Sequence, residues 1–504
     1  MAAMHTYLLG IDIGTGSCKA TLLGMDGAPT RTAEKEHSPL FLSAECVEQD
    51  PRTWWESAAE TSRRLLRAAS IAPGQIVGVG ITGQMRGITL IGKDGQSIRQ
   101  SILWNDRRCA REVYELRRDL GEPLRRITHN PLNEMCSLPK LLWLKKNEPQ
   151  LIARIFRVIF PKDFVVLQLT GEISTDVSDA SGSSLYDLAE NRWSEELFTA
   201  SGLPMSLFPR PRRSMEVVGT VTAAAAAETG IPQGTPVVAG CSDATAEMAA
   251  LGITDSRQCK VRLGTSGALS TVTETLEAAT DKVYVWSYLE PGRWMLDLNT
   301  RSCAQSVEWI RGLCYQEEKS AEGAYVRMIA DAARVPAGSA GVTFHPYLLG
   351  EDAPYWDPSL KGSFFGLSAS HTRGHLVRAV FEGTAFALRD AMSAFGDRER
   401  TFSEFLLCGG GARNSLWSTI VATVLGRNLV IVTGAEASVG ACILAAVGVG
   451  VSRDVRAARK ELFANAKVWV EINREERALY QEKFLRYRRM KGVYDGLYHD
   501  RDAG

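Results

Sequence analysis

Short apolar runs that end in Gly-rich turns alternate along the chain with segments of helical period. YLLGIDIGTGSCKATLLGMDGAP (7–29) contains an apolar run, a Gly turn, an alternating run and a second turn, which predicts a β-hairpin. Residues 49–69 carry apolar positions at helical spacing, with Asp50 as a candidate N-cap and Pro at the first helical position. IVGVGITGQ (76–84) predicts a short buried strand. This alternation of strands and helices favours an α/β fold.

The second half of the chain repeats this order of elements. VVAGCSDATAEMAALG (237–252) predicts a strand, a loop and a helix, and CKVRLGTSGALSTVTE (259–274) predicts a second hairpin with a Gly-Thr turn. FLLCGGGARNSLWSTIVATVLG (405–426) predicts a strand, a Gly loop and a helix. The motif DIGTGS of the first half is echoed by RLGTSG in the second. We therefore predict a duplicated domain with its boundary near residue 251.

Composition and charge exclude several classes of protein. The 504 residues include 58 Lys plus Arg and 58 Asp plus Glu, a balance that argues against binding nucleic acid or membrane by bulk electrostatics. The ten Cys include no C-x-x-C pair, and we interpret them as reduced thiols of a cytoplasmic protein without a visible targeting segment. The uncharged stretch 437–452 is shorter than the roughly 20 residues of a spanning helix, which predicts a buried helix. The basic segment 209–213 predicts a surface turn.

Both Gly-turn hairpins carry residues suited to phosphate binding. Backbone N–H groups and hydroxyls of a turn rich in Gly, Thr and Ser can converge on phosphate oxygens without interference from side chains. In the first hairpin Asp12 precedes the turn, where a carboxylate suits hydrated Mg²⁺, and Lys19 follows it, where a cation can neutralise phosphate. Either hairpin taken singly is more often an ordinary tight turn. Two of them in matched halves predict a polyphosphate bound across a cleft.

Two strand-to-helix junctions carry further candidate residues. CGGGARN (408–414) is either a tight turn or a backbone that a flat ring or a phosphate can approach closely. Asp243 in GCSDATAE is either the N-cap of the following helix or a carboxylate that accepts a hydroxyl proton in a cleft. His371 and His375 have no evident third ligand, which favours a structural role over a metal pair.

Several segments stand in the order of the motifs of one known enzyme family. They are the two hairpins, LLCGGGARNSLW, MCSLPKLLWLKKN (135–147), HPYLLGEDAPYWDPSLKG (345–362) and GSFFGLSASHTRGHLVRAVFE (362–382). From about residue 7 to about residue 450, these segments resemble the phosphate hairpins, adenosine loop and two signatures of the FGGY family of carbohydrate kinases.

The resemblance implies an α/β fold of two RNase H-like domains, as in the actin/Hsp70/hexokinase ATPase superfamily, with a catalytic cleft between them. We expect an N-terminal domain over residues 1–251 that binds the sugar and carries the catalytic Asp. A C-terminal domain over residues 252–490 would bind ATP, and residues 491–504 would form a tail.

The resemblance also implies phosphorylation of a sugar hydroxyl that depends on ATP and Mg²⁺. Asp243 would accept the hydroxyl proton, and Asp12, together with Asp243, would hold Mg²⁺ through water. The predicted ATP-binding residues are Thr15, Gly16, Ser17, Lys19, Gly264, Thr265, Ser266, Gly409, Gly410, Gly411 and Asn414. The predicted sugar-binding residues are Gln84, Met85, Arg86, Trp104 and Asp106.

Within the family, the segments around the predicted sugar site resemble those of xylulokinases. GITGQMRG, ILWNDRR and PKDFVVLQLTGEISTDVSDASG (161–182) carry this likeness, which implies phosphorylation of D-xylulose to D-xylulose 5-phosphate. One residue departs from the pattern, because Arg86 stands where xylulokinases usually have His. If the Arg86 side chain contacts the sugar, another ketose or polyol becomes the expected substrate.

Several alternatives to this function stay open. Ribulose, L-xylulose, a tetritol or a glycerol-like polyol would suit the same fold. An ATP-driven switch of the Hsp70 or actin type would need a partner-binding extension, which the sequence does not display. A catalytically silent sugar-binding protein is disfavoured because Asp12, Asp243 and both hairpins are present. We expect sugar and ATP as partners, no nucleic acid or membrane, and a homodimer as one assembly, since family members are often dimers.

Overall fold

The computed structural model describes residues 6–25, 30–72, 74–276, 282–318, 320–432, 434–462 and 467–499. Its strands are β1 (Tyr7–Ile13), β2 (Ser17–Gly24), β3 (Arg31–Glu36), β4 (Leu40–Phe41), β5 (Val47–Gln49), β6 (Ile76–Gly83), β7 (Thr89–Ile91), β8 (Ser101–Ile102), β9 (Arg157–Ile159), β10 (Thr175–Asp176), β11 (Tyr186–Asp187), β12 (Arg192–Trp193), β13 (Pro211–Arg212), β14 (Val217–Thr220), β15 (Pro236–Val238), β16 (Cys241–Ser242), β17 (Gln258–Leu263), β18 (Gly267–Thr273), β19 (Tyr284–Ser287), β20 (Trp294–Thr300), β21 (Thr343–His345), β22 (Ser363–Phe365), β23 (Glu404–Cys408), β24 (Leu429–Val432) and β25 (Lys467–Val470).

The helices of the described residues are α1 (Pro51–Ala68), α2 (Ala110–Thr128), α3 (Ser137–Asn147), α4 (Pro149–Ile152), α5 (Pro161–Thr170), α6 (Val177–Ser181), α7 (Glu195–Ser201), α8 (Ala223–Thr229), α9 (Asp243–Leu251), α10 (Ala304–Cys314), α11 (Ala321–Ala333), α12 (Arg373–Met392), α13 (Ser415–Leu425), α14 (Ala437–Gly448), α15 (Val455–Leu462) and α16 (Arg477–His499). The start of α1 agrees with the sequence prediction, because the Asp50 side chain accepts a hydrogen bond from the Arg52 amide and Pro51 is the first helical residue.

Each half of the chain is built around a seven-stranded mixed sheet. The first sheet has the order β14-β15-β6-β1-β2-β3, with β16 also paired to β6, and the second has the order β25-β24-β23-β17-β18-β20-β19. In both, an antiparallel hairpin (β1–β2 or β17–β18) precedes a strand that runs parallel to its first strand (β6 or β23). The repeated order confirms the predicted duplicated α/β architecture.

Helices α9 and α14 pack against each other between the two sheets. Although α14 comes late in the chain, it covers β1 and β6 of the first sheet. Gly10 and Gly80 on these strands allow this approach, because a Cβ at either position would lie 1.9 Å from the carbonyl oxygen of Ser438 or Ala441. The uncharged stretch 437–452 therefore contains a buried helix, as predicted, and this helix holds the two halves together.

Other predictions concern the surface, the cysteines and the chain end. All ten Cys are free thiols, eight of them buried, and no described helix combines the length and apolar character needed to cross a bilayer. His375 caps α12 through its bond with the Thr372 amide, and His371 bonds the Ser368 amide, which agrees with structural roles. Helix α16 extends through residue 499 and so includes the start of the predicted tail; residues 500–504 and the second turn of the segment 7–29 lie outside the described residues.

Candidate functional site

A cleft of about 1560 Å³ lies between the two halves of the chain. The first hairpin, α9, the second hairpin, the Gly loop after β23 and the strand β25 all contribute to its walls. The predicted site residues that line it are Asp12, Lys19, Asp243, Gly264, Thr265, Gly409, Gly410, Gly411 and Asn414. Residues far apart in the sequence therefore meet around one cavity, large enough for a nucleotide and a small second substrate.

Sheet topology brings Asp12 and Asp243 to the same edge of the first sheet. Asp12 lies near the carboxyl end of β1, and Asp243 directly follows β16. Both strands run parallel to β6, with Asp12 opposite Thr82 and Ser242 opposite Gly83. Because the carboxyl ends of parallel strands meet at one sheet edge, the two carboxylates occupy the same side of the cleft.

The environment of this acidic pair favours a cation. Burial, followed by the negative charge of Asp243, raises the pKa of Asp12 from 3.8 to about 7, while Lys19 opposes the shift. Burial also raises the pKa of Asp243, against the opposing positive charge of Arg262. Asp12 Oδ1 is buried and has no hydrogen-bond donor among the described residues. An unpartnered buried carboxylate oxygen beside a second carboxylate suits a hard divalent cation.

Asp243 is not the N-cap of α9. That role belongs to Ser242, whose hydroxyl oxygen accepts a hydrogen bond from the Thr245 amide at 3.4 Å. The Asp243 carboxylate accepts a bond from the neighbouring Ala244 amide at 2.8 Å and lines the cleft. The N-cap is therefore one residue earlier than the capping interpretation placed it, and the Asp243 carboxylate is available for chemistry. The Ser242 amide in turn donates to Ser178 Oγ at 2.9 Å, which attaches the start of α9 to α6.

An ionic cluster beside Asp243 was missed by the sequence analysis. Glu247, one turn further along α9, accepts a bond from Lys260 Nζ at 3.0 Å and lies 3.3 Å from Arg262 Nε. Lys260 and Arg262 point to one face of β17 just before the second hairpin. The signals were available in the sequence as a four-residue helical spacing from Asp243 and a two-residue strand spacing. Arg262 lines the cleft and places a positive charge close to both acids.

The first hairpin divides its side chains between two environments. Thr15 does not line the cleft among the described residues; its hydroxyl donates to Gln84 Oε1 at 3.1 Å and accepts from Trp104 Nε1 at 3.0 Å. Gln84 Nε2 continues this network to Gln49 Oε1 at 3.3 Å. The residue predicted to bind phosphate thus connects the turn to two residues predicted to bind sugar, and only its backbone remains available to a phosphate.

Of the remaining predicted residues of this hairpin, Lys19 lines the cleft, whereas Gly16 and Ser17 are not among the described residues that line it. Ser17 Oγ donates to Glu34 Oε1 at 2.6 Å, and Gly16 is exposed at the tip of the turn. Lys19 Nζ lies 3.2 Å from Glu436 Oε2 and 3.7 Å from Glu34 Oε2. Lys19 therefore joins the first hairpin to the start of α14, and any phosphate that it binds must compete with these two carboxylates.

The Gly loop and the second hairpin lie against each other. Gly409 has φ of +89°, and a Cβ there would lie 2.6 Å from the carbonyl oxygen of Leu263. Gly410 is open, with no atom within 4 Å of a Cβ position, so a ligand can approach its backbone. At Gly411 the space is taken by the Trp417 ring, 2.5 Å from the Cβ position. The three glycines therefore serve different purposes.

The turn of the second hairpin is fixed by α10. The carbonyl oxygens of Gly264 and Thr265 accept bonds from the Ala304 and Cys303 amides at 2.8 and 3.0 Å. Ser266 follows in the turn, half-buried and not among the described residues that line the cleft. Asn414 is the N-cap of α13, with Oδ1 accepting a bond from the Trp417 amide at 3.1 Å. Its side-chain oxygen is thus already bonded, although the residue lines the cleft.

Comparisons with known proteins decide the family. Residues 7–252 match the N-terminal domain of the FGGY family of carbohydrate kinases, and residues 259–449 match its C-terminal domain. The chain belongs to the FGGY family. It is similar to xylulose kinase of Escherichia coli (strain K12), with 34% identity over 87% of this chain and 89% of that protein. Xylulose kinase of Klebsiella pneumoniae is 35% identical over 88% of this chain and 90% of that protein.

Solved structures agree with this assignment. The crystal structure of xylulose kinase from Rhodospirillum rubrum has a TM-score of 0.88 at 28% identity and covers 98% of this chain and 100% of that one. As an FGGY carbohydrate kinase, the protein is an enzyme that transfers a phosphoryl group from ATP to a carbohydrate. Two domains with a cleft between them are the architecture that the sequence resemblance implied.

On the predicted sugar side of this FGGY kinase, Asp106 is bonded to other residues of the protein. Asp106 is fully buried and accepts bonds from Arg108 Nη2 at 2.7 Å and from the Val47 amide at 2.6 Å. The charge of its carboxylate is balanced by Arg108, and its oxygens are bonded inside the protein. This placement argues against the predicted sugar contact. Met85 packs against Gly182, beside the loop that follows β6.

Arg86 of the FGGY kinase joins the two halves. Its backbone is left-handed, with φ of +64°, and its side chain is buried. The guanidinium carbon lies 4.5 Å from the ring centroid of Tyr284 and 4.4 Å from that of Trp286, both on β19 of the second sheet. This cation–π contact accounts for an Arg at a position where a smaller side chain could not reach the second half.

Proposed function

We propose that this FGGY kinase phosphorylates the O5 hydroxyl of D-xylulose with ATP and releases D-xylulose 5-phosphate and ADP. The xylulose kinases at 34% and 35% identity, which align with most of the chain, support this substrate. The structural observation that carries the proposal is the Asp243 carboxylate, which lines the cleft together with Asp12 and accepts a hydrogen bond from the Ala244 amide.

Asp243 would act as the general base. Burial raises its pKa and so strengthens it as a proton acceptor, while the charge of Arg262 favours its ionised form. In the transfer, the proton of O5–H passes to Asp243, O5 bonds to the γ-phosphorus, and the bond from that phosphorus to the β–γ bridging oxygen breaks. The transition state of such transfers is loose, so alignment and charge stabilisation contribute more than covalent chemistry.

The cleft offers several groups for the phosphates of ATP. Arg262 and Lys19 supply positive charge, Gly264 and Thr265 of the second hairpin bring their backbone to the cleft, and Gly410 leaves its backbone open to a ligand. The adenosine would lie along the Gly loop and β25, where Trp469 also lines the cavity. Closure of the two halves would exclude water, which otherwise competes with the sugar as phosphoryl acceptor.

Asp12 and Asp243 fit Mg²⁺ as a cofactor. Asp12 Oδ1 has no donor among the described residues, and both carboxylates supply the oxygen ligands that Mg²⁺ prefers. No group of three or more His, Cys, Asp or Glu side chains is arranged for a metal in the described part of the chain, so phosphate oxygens and waters would complete the coordination. When bound, Mg²⁺ would neutralise the developing charge on the phosphates.

The position of Arg86 supports a xylulokinase-type substrate. Its guanidinium is occupied by the Tyr284 and Trp286 rings, so the exchange of His for Arg need not change the contacts made with the sugar. Ribulose, L-xylulose, tetritols and glycerol-like polyols therefore serve as the comparison substrates. A cytoplasmic location and a homodimer stay predictions.

A coupled assay across acceptors tests the proposal. Purified protein with ATP and Mg²⁺ is assayed for ADP release with D-xylulose, L-xylulose, D-ribulose, L-ribulose, erythritol and glycerol. We expect kcat/KM to be highest for D-xylulose, and phosphorus NMR to place the new ester on O5. A higher kcat/KM for another acceptor would reassign the substrate, and sugar-insensitive ADP release would instead support the ATP-switch alternative.

A further inference from the structure

A second cavity of about 380 Å³ lies apart from the cleft, at another part of the seam between the halves. One wall is formed by residues 210–213 of the basic segment 209–213, and it includes Arg210 and Arg213. The opposite wall is the turn after β19, which belongs to the second half and includes Leu289 and Glu290. The side chains of Arg210 and Arg213 are exposed, so the segment lies on the surface as predicted, but Pro211 and Arg212 form the strand β13 and not the predicted turn.

The charges around this cavity leave two guanidinium groups without counter-ions. Arg212 Nη1 lies 2.8 Å from Glu216 Oε1, so these two side chains neutralise each other. Glu290 lies 3.3 Å from Arg293, which also lies 3.3 Å from Glu274. Within the described residues, no hydrogen bond or ion pair involves the side chain of Arg210 or Arg213. The cavity is therefore lined by two unpaired positive charges and by two acids, Glu216 and Glu290, each of which has an arginine partner.

We propose that this cavity binds a phosphate-bearing anion. Guanidinium groups present planar pairs of N–H donors that match phosphate oxygens, and two of them on one short segment can bind a single phosphate group from two sides. Main-chain rigidity supports this, because Pro211 stands between them and its strand β13 pairs with β10. The volume is sufficient for inorganic phosphate or for a small sugar phosphate.

The residues that directly follow the basic segment are bonded to the stretch of chain that leads to Asp243. The carbonyl oxygen of Ser214 accepts a bond from the Gly240 amide at 2.9 Å, and that of Glu216 accepts one from the Ala239 amide at 2.9 Å. Residues 239 and 240 lead into β16, and Asp243 follows it. An anion that draws Arg210 and Arg213 together would therefore shift the residues that hold residues 239 and 240, and with them the position of Asp243, the proposed base.

A second route leads from the cavity to the same loop through α6. Val177 lines the cavity and is the first residue of α6, and the next residue, Ser178, accepts the bond from the Ser242 amide at 2.9 Å. Ser214 Oγ donates to Asp176, the N-cap of α6, at 2.8 Å. Residues 239–242, which lead to Asp243, are thus bonded both to the chain that follows the basic segment and to α6. Through these contacts, anion binding in the second cavity would change the rate of phosphoryl transfer.

Calorimetric titration of the full-length protein with inorganic phosphate and, separately, with D-xylulose 5-phosphate tests the binding at low ionic strength. The double variant Arg210→Ala/Arg213→Ala removes both unpaired charges, and Arg154→Ala, an exposed arginine outside both cavities, is the matched control. For one of the two anions, we expect the double variant to bind about tenfold or more weakly than the wild type, and the control to bind as tightly as the wild type. The anion that shows this loss identifies the source of the phosphate.

Activity provides the second arm, because neither arginine contacts the proposed catalytic groups. The double variant should keep wild-type kcat without added anion, and the change in kcat that added anion causes in the wild type should disappear. Substitution of both residues by Lys should restore binding in part, since it keeps the charge and loses the fork. Equal affinities of wild type, double variant and control for both anions would overturn the proposal, whatever sugar the enzyme phosphorylates.

Discussion

Binding of Mg²⁺ at Asp12 should release a proton, and the raised pKa of Asp12 determines how much. With a pKa of about 7, the carboxyl is about half protonated at pH 7, about nine-tenths protonated at pH 6 and about one-tenth protonated at pH 8. Mg²⁺ requires the ionised carboxylate, so binding displaces that fraction of a proton. The apparent Mg²⁺ affinity should therefore fall about tenfold for each pH unit by which the pH is lowered below 7, and it should become constant above pH 7.

Calorimetric titration of the ATP-loaded protein with Mg²⁺, in two buffers of different ionisation enthalpy, measures this proton count. Asp12→Asn is the matched variant, because it keeps the size of the side chain and removes its ionisation. When the number of protons released by the variant is subtracted from the number released by the wild type, the protons that come from ATP itself cancel. We expect a difference of about half a proton at pH 7. Equal release by the two proteins at pH 6, 7 and 8 would show that Asp12 does not ionise when Mg²⁺ binds.

Three further substitutions test other parts of the site. Gly409→Ala should raise KM for ATP about tenfold, because its Cβ would meet a carbonyl oxygen at 2.6 Å and displace the second hairpin; the same change at Gly410, where the space is open, is the control and should have little effect in the coupled assay. Arg86→Ala should lower the free energy of unfolding by about 1–2 kcal/mol in denaturant titration through loss of the cation–π contacts; a changed ranking of acceptor sugars would contradict this structural role. Ser178→Ala should lower kcat about tenfold while KM for ATP stays constant, because it leaves the amide at the start of α9 without its acceptor; recovery in Ser178→Thr would confirm that the hydroxyl is the cause, and an unaltered kcat would exclude this positioning role.

The elements that could be predicted from the sequence are those with a local physical signal. The hairpins, the capped start of α1 and the buried helix within residues 437–452 each follow from turn chemistry, an N-cap or an uninterrupted apolar period. The duplicated plan was visible because both Gly turns are followed by similar alternating runs. The family resemblance then brought Asp12 and Asp243 into one site, which local patterns alone could not do.

The remaining features depend on contacts between residues far apart in the chain. Nothing near Arg86 indicates that its side chain packs on Tyr284 and Trp286, almost 200 positions later. The same is true of Thr15, whose hydroxyl meets Gln84 and not the cleft, and of the internal ion pair that removes Asp106 from the sugar site. Glu247 and Arg262 had a detectable spacing, but a charged helix face is usually solvated, and only the fold shows that these charges face each other.

The central claim is that Asp243 accepts the proton of the sugar hydroxyl in the cleft. Its most direct test is the single-turnover rate of Asp243→Asn with saturating ATP, Mg²⁺ and D-xylulose, measured beside the dissociation constant for ATP. A general base contributes about 10²–10⁴-fold, so the rate should fall at least about a hundredfold while ATP affinity changes by less than about threefold. A rate close to that of the wild type would contradict the account.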